Sequence, residues 1–445
     1  MAIEGVRPGE GRYEELRAGF NLAVTHRPAV IVEARSVDDV AAAVAAAVRE
    51  RRPVGVMNTG HGPSVPADGA VLIRTGRLSR VDVDPFRRTA RVEAGVRWRD
   101  VIAAAARHGL APLNGSSPDV GAVGYTLGGG VGLLARRYGF AADHVRWLDV
   151  VTADGRVRRV DGEHDPVLFW ALRGAGANFG VVTAMEFDLF PVATLYGGEL
   201  CFGPEAGEDV LHAYAAWART VPETMASSVL LLRYPDDPAV PPQLRGRHVT
   251  HLRLADSGAD PAAGRELADR LRATGPRLVD TVRRMPYADV GTIHHEPTGT
   301  PVAAFDRNVL LREYDDDAAA VLGKLAGPDA DAPFLTEVRA WGGALSRPPS
   351  VPNVVASRDA AFSLLAIAGP EPADRAARDQ LLEAMAPWST GGSYPNFSGV
   401  EDATPDGARP HYRSDDLARL RQLKEQYDPD RTFRVTFPLT GGGLT

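Results

Sequence analysis

The chain of 445 residues is long enough for two or three domains, and its apolar (44%) and charged (24%) fractions are those of an ordinary globular protein. A net charge of −7 and a pI near 5.9 lack the basic footprint of a nucleic-acid or anionic-membrane partner, and the single cysteine, Cys201, excludes an intramolecular disulfide framework and a cysteine-based zinc or iron–sulfur cluster. With neither a leader-like N-terminus nor an apolar run of membrane-spanning length, a soluble, cytoplasmic protein is expected, as monomer or homodimer.

Up to about Phe20 no strong periodicity is present. Ala29–Val32 then reads as a strand, and Ser36 with Asp39 as a capping box opening a helix over 37–51, with Val40, Val44 and Val48 on one stripe. A second apolar strand, 53–57, runs directly into Asn58–Thr59–Gly60–His61–Gly62–Pro63. Glycines on both sides of a histidine let another molecule approach its imidazole closely. A lone loop histidine is by itself more often just hydrogen-bonded or solvated. Strand-like runs follow at 70–73 and 89–94, separated by the turn Asp84–Pro85, and a helix over 98–108 ends at Gly109.

The region 114–139 is the densest in glycine: Asn114–Gly115–Ser116–Ser117–Pro118–Asp119–Val120–Gly121, then Gly124–Tyr125–Thr126–Leu127–Gly128–Gly129–Gly130–Val131–Gly132. Consecutive glycines present backbone N–H groups without side chains in the way, which suits a pyrophosphate. A flexible linker would not carry interspersed Val, Leu and Tyr in this manner. Next, 147–152 and 157–160 flank Ala153–Asp154–Gly155 as a hairpin, and a short helix over 167–173 leads through a glycine-rich turn, 174–180, into a strand over 181–188. Beyond about Pro191 helices near 208–219 and 260–273 alternate with strands at 227–234, 247–254, 336–341 and 360–368, the pattern of an antiparallel sheet with helices on one face. A last helix starts near Ser414, with Leu417, Leu420, Leu423 and Tyr427 as its stripe.

Several motifs fail on context. Gly130–Val131–Gly132–Leu133–Leu134–Ala135 fits a dinucleotide-binding glycine pattern but follows a glycine run instead of a buried strand. His248 and His251, three apart on a strand, point to opposite faces and cannot share a metal. His294–His295–Glu296 lacks a third partner at recognisable spacing and reads as a polar loop, so no metal site is expected.

The order of these pieces resembles the vanillyl-alcohol oxidase/p-cresol methylhydroxylase flavoproteins, and within them the berberine-bridge-enzyme-like oxidases. The pieces that carry it are Gly121–Ala122–Val123–Gly124–Tyr125–Thr126–Leu127–Gly128–Gly129–Gly130, Tyr138–Gly139 with Asp143, Val151–Gly155, Trp170–Gly174 and Asn178–Thr183. The resemblance is broad over about 20–192, weaker at 393–439, and in the middle rests mainly on element order. It implies an α+β fold: a two-subdomain p-cresol methylhydroxylase-type FAD-binding domain (1–192), a substrate domain of antiparallel sheet covered by helices (193–392), and a C-terminal segment (393–445) returning to the first domain.

The resemblance further implies that FAD lies against Asn58, Thr59, Gly60, His61, Gly62 and Pro63. It adds Ser116, Ser117, Val120, Gly121, Gly124, Tyr125, Gly128, Gly129, Gly130 and Gly132, with Asn178, Gly180, Val181 and Val182 enclosing the dinucleotide and Asn396 bordering the flavin. His61 matches the histidine that such proteins bond to the 8α-methyl of the flavin. Where many relatives add a cysteinyl bond this chain has Ser116 and Ser117, so attachment through His61 alone is expected. Two departures stand out: Met57–Asn58–Thr59 replaces the usual arginine- and glycine-rich approach to the histidine, and Phe397 replaces a frequent tyrosine.

Flavin N5 would accept a hydride from a small-molecule carbon bearing OH or NH, with O2 as final acceptor. A proton acceptor must stand nearby, and Tyr394 and Tyr412 are the candidates, although each is equally readable as an ordinary buried aromatic. Arg339 and Arg358 read first as structural ion pairs. The expected substrate is a natural product, sugar or cyclic amine. A flavin-dependent cyclase or oxygenase, or a non-catalytic drug-sequestering protein, are the alternatives.

Overall fold

The computed structural model describes residues 3–62, 65–296, 299–330, 332 and 334–440. Three sheets organise it. The first is parallel, in the order Val30–Glu33, Val71–Arg74, Val54–Met57. Parallel strands need a crossover, and the helix Val37–Arg49 supplies it. Its N-terminus carries the full Ser36–Asp39 capping box. The buried stripe is Val40, Ala43, Val44 and Ala47, whereas Val48 is only half-buried, because a 3.6-residue period rotates it off the face.

The second sheet has five antiparallel-paired strands in the order Val81–Asp84, Thr89–Glu93, Val181–Asp188, Val145–Val151, Val157–Asp161. Its hairpin turns at Gly155, whose φ of +74° favours glycine. The helix Trp98–Ala106 packs Trp98, Val101, Ile102 and Ala105 into the core beneath it. Leu417, Leu420 and Leu423 of the helix Ser414–Tyr427 enter that same core. Lys424 of this helix is buried and donates to Asp428 Oδ2 (2.7 Å), Asn178 O (2.6 Å) and Phe433 O (2.9 Å).

The third sheet has eight strands, the main path running Arg277–Asp280, Thr194–Phe202, His248–Asp256, Met225–Arg233, Phe334–Ala340, Phe362–Ala368, Phe305–Leu311. The helices Gly207–Ala218, Pro261–Arg272, Asp316–Ala326 and Pro372–Ala384 contribute to the apolar core on one of its faces. Period-2 alternation sends Val229, Leu231, Leu252, Leu254, Val338 and Leu364 into that core. Cross-strand register then places Arg253, Ser228, Arg339 and Ser363 in one row of the opposite face, and His251, Leu230, Glu337 and Leu365 in the next. The sequence reading missed Thr194–Phe202, which lies just past the assumed change of character at Pro191, and Phe305–Leu311. It also missed the short helix Tyr13–Arg17 in the stretch assigned no periodicity.

Candidate active site

The histidine loop is built on a backbone contact. A Cβ on Gly60 would come 2.5 Å from Gly19 Cα, and Gly60 holds φ +72°, so only glycine lets the two segments meet. Phe20 N donates to Thr59 O (2.9 Å) and Asn21 N to Gly60 O (3.0 Å). The Phe20 ring stacks on His61 with centroids 3.8 Å apart at 12°, and Thr59 Oγ1 lies 2.9 Å from His61 Nδ1. His61 Nε2 is buried with no partner among the described residues. Burial, reinforced by Arg97 and opposed by Asp119, pushes this imidazole down to about 4, so at neutral pH it is uncharged and keeps a lone pair. Gly19 and Phe20 escaped the sequence reading because they sit in an aperiodic stretch and act through tertiary contact. Pro63 lies outside the described residues.

Asn58 faces the second glycine loop, where a Cβ on Gly121 would meet Asn58 Nδ2 at 2.6 Å. That loop is docked on 96–99 by backbone bonds: Ala122 N to Val96 O (2.9 Å), Trp98 N to Val120 O (3.0 Å) and Arg99 N to Pro118 O (2.8 Å). Ser117 is buried and its Oγ accepts from Asp119 N (3.4 Å), while Ser116 beside it is half-buried. At Gly62 and Gly124 a Cβ would meet nothing within 4 Å. Asn58 Nδ2, His61 Nε2 and Tyr125 OH are all buried without a partner among the described residues. Buried polar atoms are rarely left so, and a dinucleotide laid along these loops would fit them.

At the far end of the helix Ala122–Leu127 the glycines serve a different purpose. A Cβ on Gly128 would collide with Asn396 Oδ1, whose amide donates to Tyr125 O (2.9 Å) and lies 3.3 Å from Tyr394 OH. Gly129 (φ +112°) passes the Tyr394 ring, Gly130 (φ +78°) passes the Tyr125 ring, and Gly132 is pressed on Asn114 O. Tyr394 is buried among Phe140, Trp341 and Phe397. Burial holds both the Tyr394 and the Tyr412 phenols above their usual value, so each is protonated at neutral pH. Tyr412 packs at the edge of the Trp98 core, 6.0 Å from the His411 ring.

Residues 178–182 are engaged in packing. Asn178 Nδ2 donates to Ala175 O (2.9 Å) and Phe437 O (3.2 Å). Gly180 abuts Val151, where a Cβ would meet the carbonyl oxygen at 2.5 Å. Val181 and Val182 are buried in the cores flanking their sheet.

On the third sheet, the expectation of a polar loop at His294–Glu296 holds for the exposed His295 and the half-buried Glu296 but not for His294, which is 3% exposed with Nε2 3.8 Å from Glu337 Oε1. A short 3-10 turn, Tyr287–Thr292, carries it under the sheet, which no local pattern signals. Glu337 is bound by Arg339 (2.7 Å) and Arg253 (3.3 Å). Although burial favours the neutral acid, Arg339 and Arg253 hold the Glu337 carboxyl well below the usual range. Arg358 pairs with Asp143 at 2.6 Å. His248 and His251 do point apart, His248 Nε2 lying 3.0 Å from Ala326 O. The pairing of adjacent strands brings His251 Nδ1 instead to Cys201 Sγ (3.3 Å) and Glu199 Oε2 (3.1 Å), a buried donor trio that linear spacing hides.

Comparison with known proteins places this geometry in a class. An FAD binding domain matches residues 28–161. The chain carries an FAD binding domain and is an enzyme, matched along nearly its whole length by FAD-linked oxidoreductases and oxidases. It is similar to (R)-6-hydroxynicotine oxidase of Paenarthrobacter nicotinovorans, 26% identical over 100% of this chain and 98% of that protein. The fold is shared with the berberine-bridge-enzyme-like protein 1 of Physcomitrella patens (TM-score 0.83, 18% identity, 99% and 97% covered). It is shared also with the xylooligosaccharide oxidase of Myceliophthora thermophila C1, solved with xylobiose (TM-score 0.82, 21% identity, 99% and 98% covered). No described helix is long and apolar enough to cross a membrane.

Proposed function

We propose that the protein is an oxidase that removes a hydride from an alcohol or amine carbon of a small molecule, a natural product, sugar or cyclic amine, with O2 as acceptor and FAD attached to His61 by a single covalent bond. The observation that carries it is His61: a neutral, ring-stacked imidazole between two glycine loops, its buried Nε2 without a partner among the described residues. When bound, FAD supplies the hydride acceptor at N5. The chain supplies the rest. Stacking on Phe20 and the Thr59 contact fix the plane of the imidazole, and its depressed pKa keeps the lone pair free for bond formation. Asn58 Nδ2 and Tyr125 OH remain as buried donors for FAD, with Gly124 admitting its approach. Ser116 and Ser117 stand where relatives would place a cysteinyl bond and offer only hydroxyls.

Tyr394, clamped by Asn396 and kept protonated, serves as a hydrogen-bond donor and wall of the site in preference to a general base. Tyr412 has a weaker claim to the chemistry, since it packs at the core edge. The relative named for nicotine oxidation and the fold-mates named for oligosaccharides support an amine or alcohol carbon as the donor. We assign the protein to the cytoplasm, as monomer or homodimer, with no nucleic-acid or membrane partner. Acid precipitation tests the attachment: wild-type protein should carry flavin into the pellet on a His61 peptide, and His61→Ala should release it to the supernatant. Acid-stable flavin on the His61→Ala protein would overturn the assignment, and no flavin at all, even with added FAD, would overturn the oxidase reading.

A further inference from the structure

A narrow recess opens between the segment following the glycine run and the inner face of the third sheet. Val131, Gly132 and Leu133 form one wall, and its polar lining is Arg136, Ser227, Ser228, Arg253, His294 and Arg339. No carboxylate among the described residues lines it. Arg136 Nε, Arg253 Nε, Arg339 Nε and His294 Nδ1 are each buried with no partner among the described residues. The remaining guanidinium edges are occupied: Arg136 bonds Trp341 O and Val221 O, Arg253 bonds Glu337 and His294 O, and Arg339 bonds Glu337.

The carboxylates around the recess lie behind its lining and not in it. Glu337 sits behind Arg253 and Arg339, and Glu296 adds a second, more distant carboxylate felt by Arg339. Glu223, the nearest acid to Arg136, is taken by Arg347 through two bonds of 2.9 and 2.8 Å. Glu199 faces Arg253 across the strand pair, so three arginines meet three carboxylates, yet the Nε donors of all three arginines still lack acceptors among the described residues. Leaving a charged donor buried and unpaired is costly, and an anion that accepts from several such donors relieves it.

We infer that this recess binds a small anionic group, a carboxylate carried by the substrate. The inference deepens the oxidase reading, on which it rests only for assigning the anion to the substrate. An acid-bearing amine or alcohol would seat its carboxylate among Arg253, Arg339 and His294, leaving its oxidisable carbon directed away from the sheet. A neutral sugar would leave the same donors unmatched.

The test is calorimetric titration of the enzyme as purified. The probes are benzoate and phenylacetate, their neutral counterparts benzamide and phenylacetamide, and inorganic phosphate. Carboxylates should bind about tenfold or more tightly than the amides, and Arg339→Gln or Arg253→Gln should abolish that preference. If the glutamine variants unfold, leaving Glu337 unpaired, Arg339→Lys and Arg253→Lys keep the charge and should still weaken carboxylate binding about threefold or more by losing the planar fork. Equal affinity for acids and amides, or an unchanged preference in the lysine variants, overturns the inference. Binding of phosphate alone overturns the assignment to the substrate. Protein that retains the carboxylate preference but holds no flavin would sink the oxidase reading and leave the anion site standing.

Discussion

Two glycines, one inside a short helix and one at its C-terminal cap, offer opposite outcomes for the same substitution. Gly128→Ala adds a methyl where Asn396 Oδ1 already stands. The Gly128 backbone, φ −90° and ψ 8°, accepts alanine, so the cost is purely one of packing. Asn396 must move, losing its bond to Tyr125 O (2.9 Å) and its contact with Tyr394 OH (3.3 Å). Overpacking costs about 1–3 kcal/mol and one hydrogen bond about 1 kcal/mol, so a destabilisation of roughly 2–4 kcal/mol follows. Gly124→Ala lies within the same helix with nothing within 4 Å and should be neutral or stabilise by up to about 1 kcal/mol through helix propensity. Urea unfolding of both variants beside wild type, with flavin absorbance per protein measured on the same samples, gives the comparison. Gly128→Ala should show the lower midpoint, whereas Gly124→Ala, at a position assigned to FAD approach, should lower flavin content without lowering the midpoint. Identical midpoints for the two variants would refute the argument that Asn396 clamps this helix.

Lys424→Met should cost about 3–5 kcal/mol, because it leaves Asp428, fully buried, without its cation; denaturant titration checks this, and a loss below about 1 kcal/mol would mean that Asp428 finds another partner. The pH dependence of stability should carry the signature of buried imidazoles. Burial lowers His411 from 6.5 to about 4, so its contribution is fully present above pH 6.5 and is lost as pH falls toward 4. The amount is of order 3 kcal/mol, and His411→Gln should flatten the fall in urea midpoint between pH 6.5 and 4.5; an unchanged slope would contradict the assignment. His61→Ala, measured by acid precipitation, is the corresponding experiment on flavin attachment.

Much of the site's outline is written locally. Gly60 beside His61, and Gly121, Gly128, Gly129 and Gly130 in one run, were legible because glycine marks close approach whatever lies opposite. What lies opposite differs at each position, and no local signal tells them apart: Asn58 at Gly121, Asn396 at Gly128, the carbonyl of Asn114 at Gly132. Asn178 and Gly180 illustrate the same limit, since a turn matched on its glycines proves to be occupied by strand packing and by the bond to Phe437 O. His294 was read as a polar loop residue because two histidines and a glutamate in a row look solvated; burial arises from a sheet whose strands are far apart in sequence.

By itself the sequence determined the elements whose cause is local: the Ser36 capping box, the Gly155 hairpin, the apolar stripe of the last helix and the glycine loops around His61. It also shows two serines and no cysteine in the second loop. Only the tertiary structure decided what fills the space between those elements. Phe20 reaches His61, Asn396 reaches Gly128, and Arg253 reaches Glu337, through contacts between residues 41 to 268 positions apart. The reason is physical. Caps, turns and amphipathic stripes are set by neighbours within a few residues, whereas ring stacks, buried ion pairs and a cationic recess depend on which strands pair and in what register.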